Sequence, residues 1–167
     1  MSHNGESNAM VIAFKDTCLG KIGIAEENGA ITHLCFTDCE KWPASAKEGM
    51  NPLLAEAFRQ LDAYLAGKLT TFSLPLAPVG TPFQMRVWSV LETIPYGEAW
   101  SYKDVATRSG NPKATRAVGM ANNRNPIAII IPCHRVIGAD GTLVGYGGGL
   151  DRKIKLLALE GYQMLDA

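Results

Sequence analysis

Apolar residues near the start of the chain cluster at strand spacing in three runs, residues 11–14, 21–25 and 30–36. The second and third runs are separated by Asn28-Gly29, a dipeptide that tolerates the positive φ angles of a tight hairpin. Residues 38–51 carry no clean period and read as a loop. From Pro52 the period lengthens: Leu54, Phe58, Leu61 and Leu65 recur at steps of three and four, with Gly67 placed to end a helix. Residues 71–77 read as a further strand, and Pro75, Pro78, Gly80 and Pro82 mark a linker.

Three helices are predicted beyond it. Thr81-Pro82-Phe83-Gln84 is a capping box with proline at the first helical position, opening a helix to about Thr93 that Pro95-Tyr96-Gly97 breaks. Ser101-Tyr102-Lys103-Asp104 opens a shorter one, stopped by Gly110-Asn111-Pro112, and the third spans about residues 112–121. Two short helices joined by a tight glycine-containing turn match a helix-turn-helix, whose second member normally reads nucleic acid. Ala114, Ala117, Gly119 and Ala121 leave that second member nearly bare apart from Lys113, Thr115 and Arg116. Such a surface suits either close packing or approach to a narrow groove with one inserted cation.

The run Ile129-Ile130-Ile131 then leads into Pro132-Cys133-His134-Arg135-Val136. Proline lacks an N–H and fixes φ, so a buried strand ends there and Cys133 falls in a turn. Arg135-Val136-Ile137 and Thr142-Leu143-Val144 flank Asp140-Gly141, a second hairpin signal. Gly145-Tyr146-Gly147-Gly148-Gly149 lacks the Lys-Ser/Thr of a phosphate loop and the dinucleotide pattern, but glycines around one tyrosine let backbone approach a flat ligand. The last predicted helix, residues 150–160, buries Leu150, Ile154, Leu157 and Ala158 before Gly161. Glu160 borders that face at a helix C-terminus, where the macrodipole disfavours its charge, so it is either exposed or held by a buried partner.

At 167 residues and 47% hydrophobic content the chain can bury a real core as one domain or two small ones. Sixteen basic residues balance sixteen acidic ones. Their distribution is uneven: six against nine over residues 1–81, ten against seven over 82–167, and six against Asp104 alone between Ser101 and Arg135. The second half therefore suits a polyanion. Cys18, Cys35, Cys39 and Cys133 make no disulfide framework, no apolar run reaches membrane-span length, and the N-terminus lacks a signal-peptide core. The expectation is a reducing cytoplasm in which Cys133 stays a free thiol. Residues 1–9 read as a disordered lead or an expression remnant.

A thiol with a pKa near ~8.5 is mostly protonated at neutral pH, so a nucleophilic cysteine needs a base or a positive neighbour. Of His3, His33 and His134, the last adjoins Cys133, and Glu160 is the candidate carboxylate to orient it.

Asn125-Pro126-Ile127, the Ile131 to Val136 stretch, Gly145 to Gly149 and Leu157-Ala158-Leu159-Glu160-Gly161 resemble the active-site block of the O6-alkylguanine-DNA alkyltransferases. Pro95-Tyr96-Gly97, Ser101-Tyr102 and Gly110-Asn111-Pro112-Lys113-Ala114-Thr115-Arg116-Ala117-Val118-Gly119 resemble that family's helix-turn-helix. The resemblance covers about residues 80–162; residues 10–75 match loosely, in layout alone.

It implies an α/β (α+β) fold, with a small ribonuclease-H-like domain over 10–77 and a winged helix-turn-helix alkyltransferase domain over 78–167. It also implies DNA repair by suicide transfer from O6-alkylguanine, with O4-alkylthymine as a second candidate. Cys133 would take the alkyl group, His134 would draw the thiol proton through a water, Glu160 would orient His134, Tyr102 would donate to the departing base, and Asn125 would brace the cysteine turn. Arg116 would fill the gap left by the flipped nucleotide, with the third helix in the minor groove; Ser101, Lys113, Thr115, Ala117 and Arg124 are the other candidate DNA contacts. Val136, Tyr146, Gly147 and Gly148 would line the lesion pocket. The implied partner is double-stranded DNA containing O6-alkylguanine, met by a monomer without cofactor, metal or membrane.

Some family members carry a hydroxyl residue where Gly147 stands, and some bind zinc through a ligand pattern that Cys18, His33, Cys35 and Cys39 do not reproduce. Two other readings of the residues are a DNA-binding winged helix-turn-helix with a structural Cys133, and a thiol hydrolase.

Overall fold

The computed structural model describes residues 9–37, 42–143, 145–146 and 148–163, and divides between Pro78 and Val79 into two compact units. Helices and strands are mixed, in the α+β class expected.

In the first unit, β1 (Val11–Thr17), β2 (Gly20–Glu27) and β3 (Ala30–Phe36) form an antiparallel meander. The β2–β3 turn puts Asn28 at φ 55 and Gly29 at φ 81, both left-handed as the dipeptide predicts. Helix α1 (Pro52–Leu65) packs on β2, capped by the Asn51 side chain, which accepts from the Leu54 N–H. On β2 the four consecutive residues Ile22, Gly23, Ile24 and Ala25 are all buried, because Ala25 lies under Met10 and Ile12 while Trp42 and Phe14 crowd Gly23. A Cβ on Gly23 would stand 2.7 Å from the Trp42 ring, so only glycine fits there.

Three expectations need correction in this unit. Residues 47–48, read as loop, form β4 (Lys47–Glu48) parallel to β1, too short to show any period. Residues 71–77 are not a strand; one parallel bridge joins Ile31 to Leu76. Pro75 and Pro78 cannot donate, and the buried Gln60 instead holds the segment by accepting from the Ser73 N–H at 2.9 Å. At the end of α1, Tyr64 is fully buried, whereas Leu65 is only half-buried. Cys39 lies outside the described residues.

The second unit begins with α2 (Pro82–Leu91), whose capping box is complete in both directions between Thr81 and Gln84. Strand β5 (Trp100–Ser101) leads into α3 (Tyr102–Arg108), where Ser101 and Asp104 form a second capping box. Helix α4 (Thr115–Asn123) starts three residues later than its pattern suggests. Asn111 explains the delay: its side chain accepts from the Lys113 N–H and its carbonyl from the Ala114 N–H, both at 3.0 Å, closing an Asx turn first.

The run 129–131 is not a strand. Ile127, Ile129 and Ile131 are buried in alternation, but their backbone bonds are local, from Ile130 N to Ala128 O and from Ile131 N to Ile127 O, with Ile129 at φ 71. A branched side chain in the left-handed region is strained, a feature concentrated at functional sites. A single 3-10 turn, Cys133–Arg135, follows and runs into β6 (Val136–Ile137), which pairs parallel with β5. The second hairpin is absent among the described residues: Asp140-Gly141 makes a turn, with Gly138 N bonded to Thr142 O, but no ladder extends from it, and Val144 lies outside the described residues.

Helix α5 (Leu150–Leu159) turns a different face inward than its apolar residues suggest. Lys153, Leu156, Leu157 and Glu160 are buried, while Leu150, Ile154 and Ala158 are exposed. Two polar residues take positions that hydropathy would assign to water, and their partners account for it.

Thr81→Ala removes both halves of the α2 box at an exposed position. A loss of about 1 kcal/mol in unfolding free energy is expected, measured by urea titration; no change in midpoint would contradict the capping role.

Candidate active site

Asn125 organises the approach to the cysteine. Its Nδ2 donates to the Ile131 carbonyl at 2.8 Å, and its Oδ1 accepts from the Ile127 N–H at 3.0 Å. The amide thus satisfies backbone that a strand partner would otherwise satisfy, holding the strained Ile129 turn closed. It also hydrogen-bonds the Cys133 thiol side.

Cys133 is buried at 4% exposure, at the start of the 3-10 turn. Burial pushes its thiol up; hydrogen bonds from Asn125 and Tyr146 and the charge of Lys153 oppose that. The resting thiol is therefore protonated at neutral pH, and a nucleophile requires that its proton be removed.

The next residue supplies a base. His134 is fully buried, its Nε2 2.8 Å from Glu160 Oε2. The same carboxylate accepts two bonds from Arg135, from Nε at 2.8 Å and Nη2 at 2.9 Å, while Nη1 donates to the Ile94 carbonyl. An ionised carboxylate only accepts, so His134 Nε2 carries the hydrogen and Nδ1 is the basic nitrogen. Burial holds the His134 pKa below its usual range, against the pull of Glu160, so the imidazole rests neutral. Its Nδ1 is buried and has no hydrogen-bond partner among the described residues.

Lys153 closes the cluster. Its ammonium group donates to the Gly145 carbonyl at 3.0 Å, and burial pushes its pKa down to about 8 against the opposing effect of the Cys133 thiolate. Tyr146 is buried beside the thiol, and Val136 is buried in β6. The Gly148 carbonyl accepts from Arg152 at 3.0 Å. Gly147 lies outside the described residues. Tyr102, the first residue of α3, is half-buried, and burial together with the nearby Cys133 keeps its hydroxyl protonated to higher pH than usual.

Of the expected DNA contacts, Lys113 is exposed just before α4, Thr115, Arg116 and Ala117 along it and Arg124 just after it, and Ser101 caps α3. Arg135 does not join that basic surface, since it is buried against Glu160. Arg108 stacks its guanidinium 4.0 Å from the Trp100 ring centroid.

Sequence reasoning missed Arg135 and Lys153 as parts of the site. The spacing 153, 156, 157 and 160 traces one helical stripe, and a Lys and a Glu sharing a stripe with two leucines was the available signal. No group of His, Cys, Asp and Glu suited to holding a metal ion occurs among the described residues.

Residues 82–162 match the family described as 6-O-methylguanine DNA methyltransferase, DNA binding domain, and residues 10–78 match its ribonuclease-like domain. A methylated-DNA–protein-cysteine methyltransferase of Mycobacterium leprae is 52% identical over 153 residues, 90% of this chain and 92% of its own. One of Methanosarcina acetivorans is 50% identical over 155 residues, 91% and 99% respectively. The solved O6-methylguanine methyltransferase of Mycobacterium tuberculosis superposes with a TM-score of 0.84 at 46% identity, covering 90% of this chain and 92% of its own. The same figures hold for that organism's OGT in complex with DNA.

Lys153 allows a test of the electrostatics. Its folded value of about 8 lies below the ordinary 10.5, so the unfolded chain binds this proton more readily. Stability is therefore lost as pH falls from the unfolded value to the folded one, and the penalty persists at pH 7. Lys153→Met is expected to raise the unfolding free energy at pH 7 by up to about 3 kcal/mol, while slowing alkylation of Cys133 by iodoacetamide. A variant less stable than the parent at pH 7 would reverse this assignment.

Proposed function

The chain belongs to the 6-O-methylguanine DNA methyltransferase family, and from that we propose that it repairs duplex DNA by moving the alkyl group of O6-alkylguanine irreversibly to its own Cys133. The observation that carries this reading is a buried thiol followed by a neutral imidazole whose far nitrogen is held by an ion-paired carboxylate.

The target carbon of a stacked base is out of reach, so the nucleotide must be flipped, at a cost of a few kcal/mol that is lowest for a poorly paired lesion. Exposed Arg116 fills the gap it leaves, with α4 in the minor groove and Lys113, Thr115, Ala117, Ser101 and Arg124 along the backbone. The base enters beside Val136, Tyr146 and Gly148. Cys133 Sγ then attacks the alkyl carbon; the S–C bond forms as the C–O6 bond breaks, and the bonding pair leaves on the guanine. The thiol proton passes through a water to His134 Nδ1. Tyr102, kept protonated by burial, donates to the departing base.

Glu160 fixes the tautomer and orientation of His134 throughout. Displacement at saturated carbon passes through no tetrahedral oxyanion, the charge developing instead on the departing guanine, and the thioether product resists hydrolysis, so one molecule acts once. The protein acts as a monomer and without a cofactor. No helix among the described residues is long and apolar enough to cross a membrane.

Incubation with duplex DNA containing O6-methylguanine should add one methyl group to the Cys133 peptide by mass spectrometry, and Cys133→Ala should abolish the gain. An unchanged mass with retained DNA binding would instead favour a non-catalytic DNA module. Arg116→Ala should slow transfer from duplex DNA more than transfer from the free alkylated base; equal slowing would remove Arg116 from base flipping.

A further inference from the structure

Asn122 lies in the last turn of α4, 1% exposed, and has no part in the chemistry described above. Its Nδ2 donates to the Cys133 carbonyl at 3.2 Å. A carbonyl only accepts, which settles the orientation of the amide and leaves Asn122 Oδ1 buried without a hydrogen-bond partner among the described residues. The Cys133 carbonyl also accepts from the Val136 N–H across the 3-10 turn, so both of its lone pairs are engaged.

Two donors from different directions fix the plane of the Cys133–His134 peptide. That plane sets the backbone torsions leading to the thiol on one side and to the imidazole on the other. The neighbouring residue of α4 is tied down as well, since the Trp88 indole N–H donates to the Ala121 carbonyl at 2.9 Å. The end of the reading helix is thus bonded on one side to α2 and on the other to the nucleophile. An apolar side chain of similar volume would fill the Asn122 site without leaving an oxygen unpaired, so packing alone does not account for an amide there.

We propose that Asn122 is a positioning residue for the transfer, bonding the DNA-reading helix to the Cys133 carbonyl so that seating α4 on DNA also aims the thiol. This rests on the alkyl-transfer reading above. Displacement is steeply sensitive to the approach of the attacking atom, and small misplacements are costly.

Asn122→Leu keeps the volume and removes the donor, and Asn122→Asp keeps the shape but offers only acceptors to a carbonyl. Each is compared with the parent for the transfer rate from duplex O6-methylguanine, the affinity for the same duplex, and the pH dependence of the rate. The parent must itself transfer; if it does not, the functional reading fails and Asn122 is not at issue. The expected result is a fall in rate on the order of 10-fold or more at all pH values, with duplex affinity unchanged. Transfer at the parental rate, with only the melting temperature lowered, would reduce Asn122 to a structural role, and a loss of affinity equal to the loss of rate would make it a DNA contact. Should both variants fail to fold, Asn122→Ser carries the same test: slower transfer at unchanged affinity upholds the proposal, and parental transfer overturns it.

Discussion

Glu160 is a full negative charge placed inside the second unit, and the tautomer and orientation of the His134 imidazole beside Cys133 follow from how that charge is held. Burying a carboxylate is costly unless its oxygens are paired and hydrogen-bonded. Here Arg135 supplies a two-point ionic contact and His134 one further donor, while the Gly161 turn, at φ 81, ends α5 so that Glu160 stands at its C-cap. The macrodipole opposes an anion at that position, and the guanidinium offsets it. The division of labour has a chemical consequence. Because Arg135 neutralises the carboxylate, His134 need not become an imidazolium to pair with it, and it keeps a lone pair on Nδ1. Were the imidazole the carboxylate's only partner, protonation would be favoured and the base would be lost.

Helix α4 carries a second constraint, since it is both an exposed surface and a scaffold. Its outer side presents Thr115, Arg116 and Ala117 to solvent, and its inner side buries Val118, Ala121 and Asn122. Its small residues keep the exposed side smooth rather than letting the helix pack tightly at every point: a Cβ on Gly119 would meet the Tyr102 ring at 3.8 Å, an ordinary contact.

What could be read in the chain beforehand was local. The capping boxes at Thr81 and Ser101 and the Asn28-Gly29 turn each lie within four residues, where side chain and backbone interact without help from the rest of the fold. The errors share one cause, that hydropathy reports burial rather than bonding. Ile127, Ile129 and Ile131 alternate in burial as a strand would, yet Asn125 takes the place of a strand partner. On α5 the apolar residues suggested one face, but ion pairing and the Gly145 carbonyl draw Glu160 and Lys153 inward and set the helix on another. Arg135 counted toward a basic surface, since nothing within a few residues of it reveals that its carboxylate lies at position 160. Glu160 itself was legible as an oddity, a charge on an apolar border at the wrong helix end, although its partners were not.

The electrostatic state of the cluster suits a nucleophile that works once. Burial pushes the Cys133 thiol up and the Lys153 and His134 pKa values down, and it keeps the Tyr102 hydroxyl protonated. Each shift moves its group toward the neutral form, but at about 8 Lys153 still carries its charge at neutral pH, beside the Glu160–Arg135 pair. In a low-dielectric interior a thiolate formed near Lys153 is attracted far more strongly than in water, but only after the proton has left. The stabilisation is therefore available to the thiolate as the thiol loses its proton, rather than to the resting thiol. A thioether consumes the whole molecule, and a thiol kept protonated until a base is seated is guarded against chance electrophiles. The raised thiol pKa, which looks unfavourable for a nucleophile, is what that protection requires.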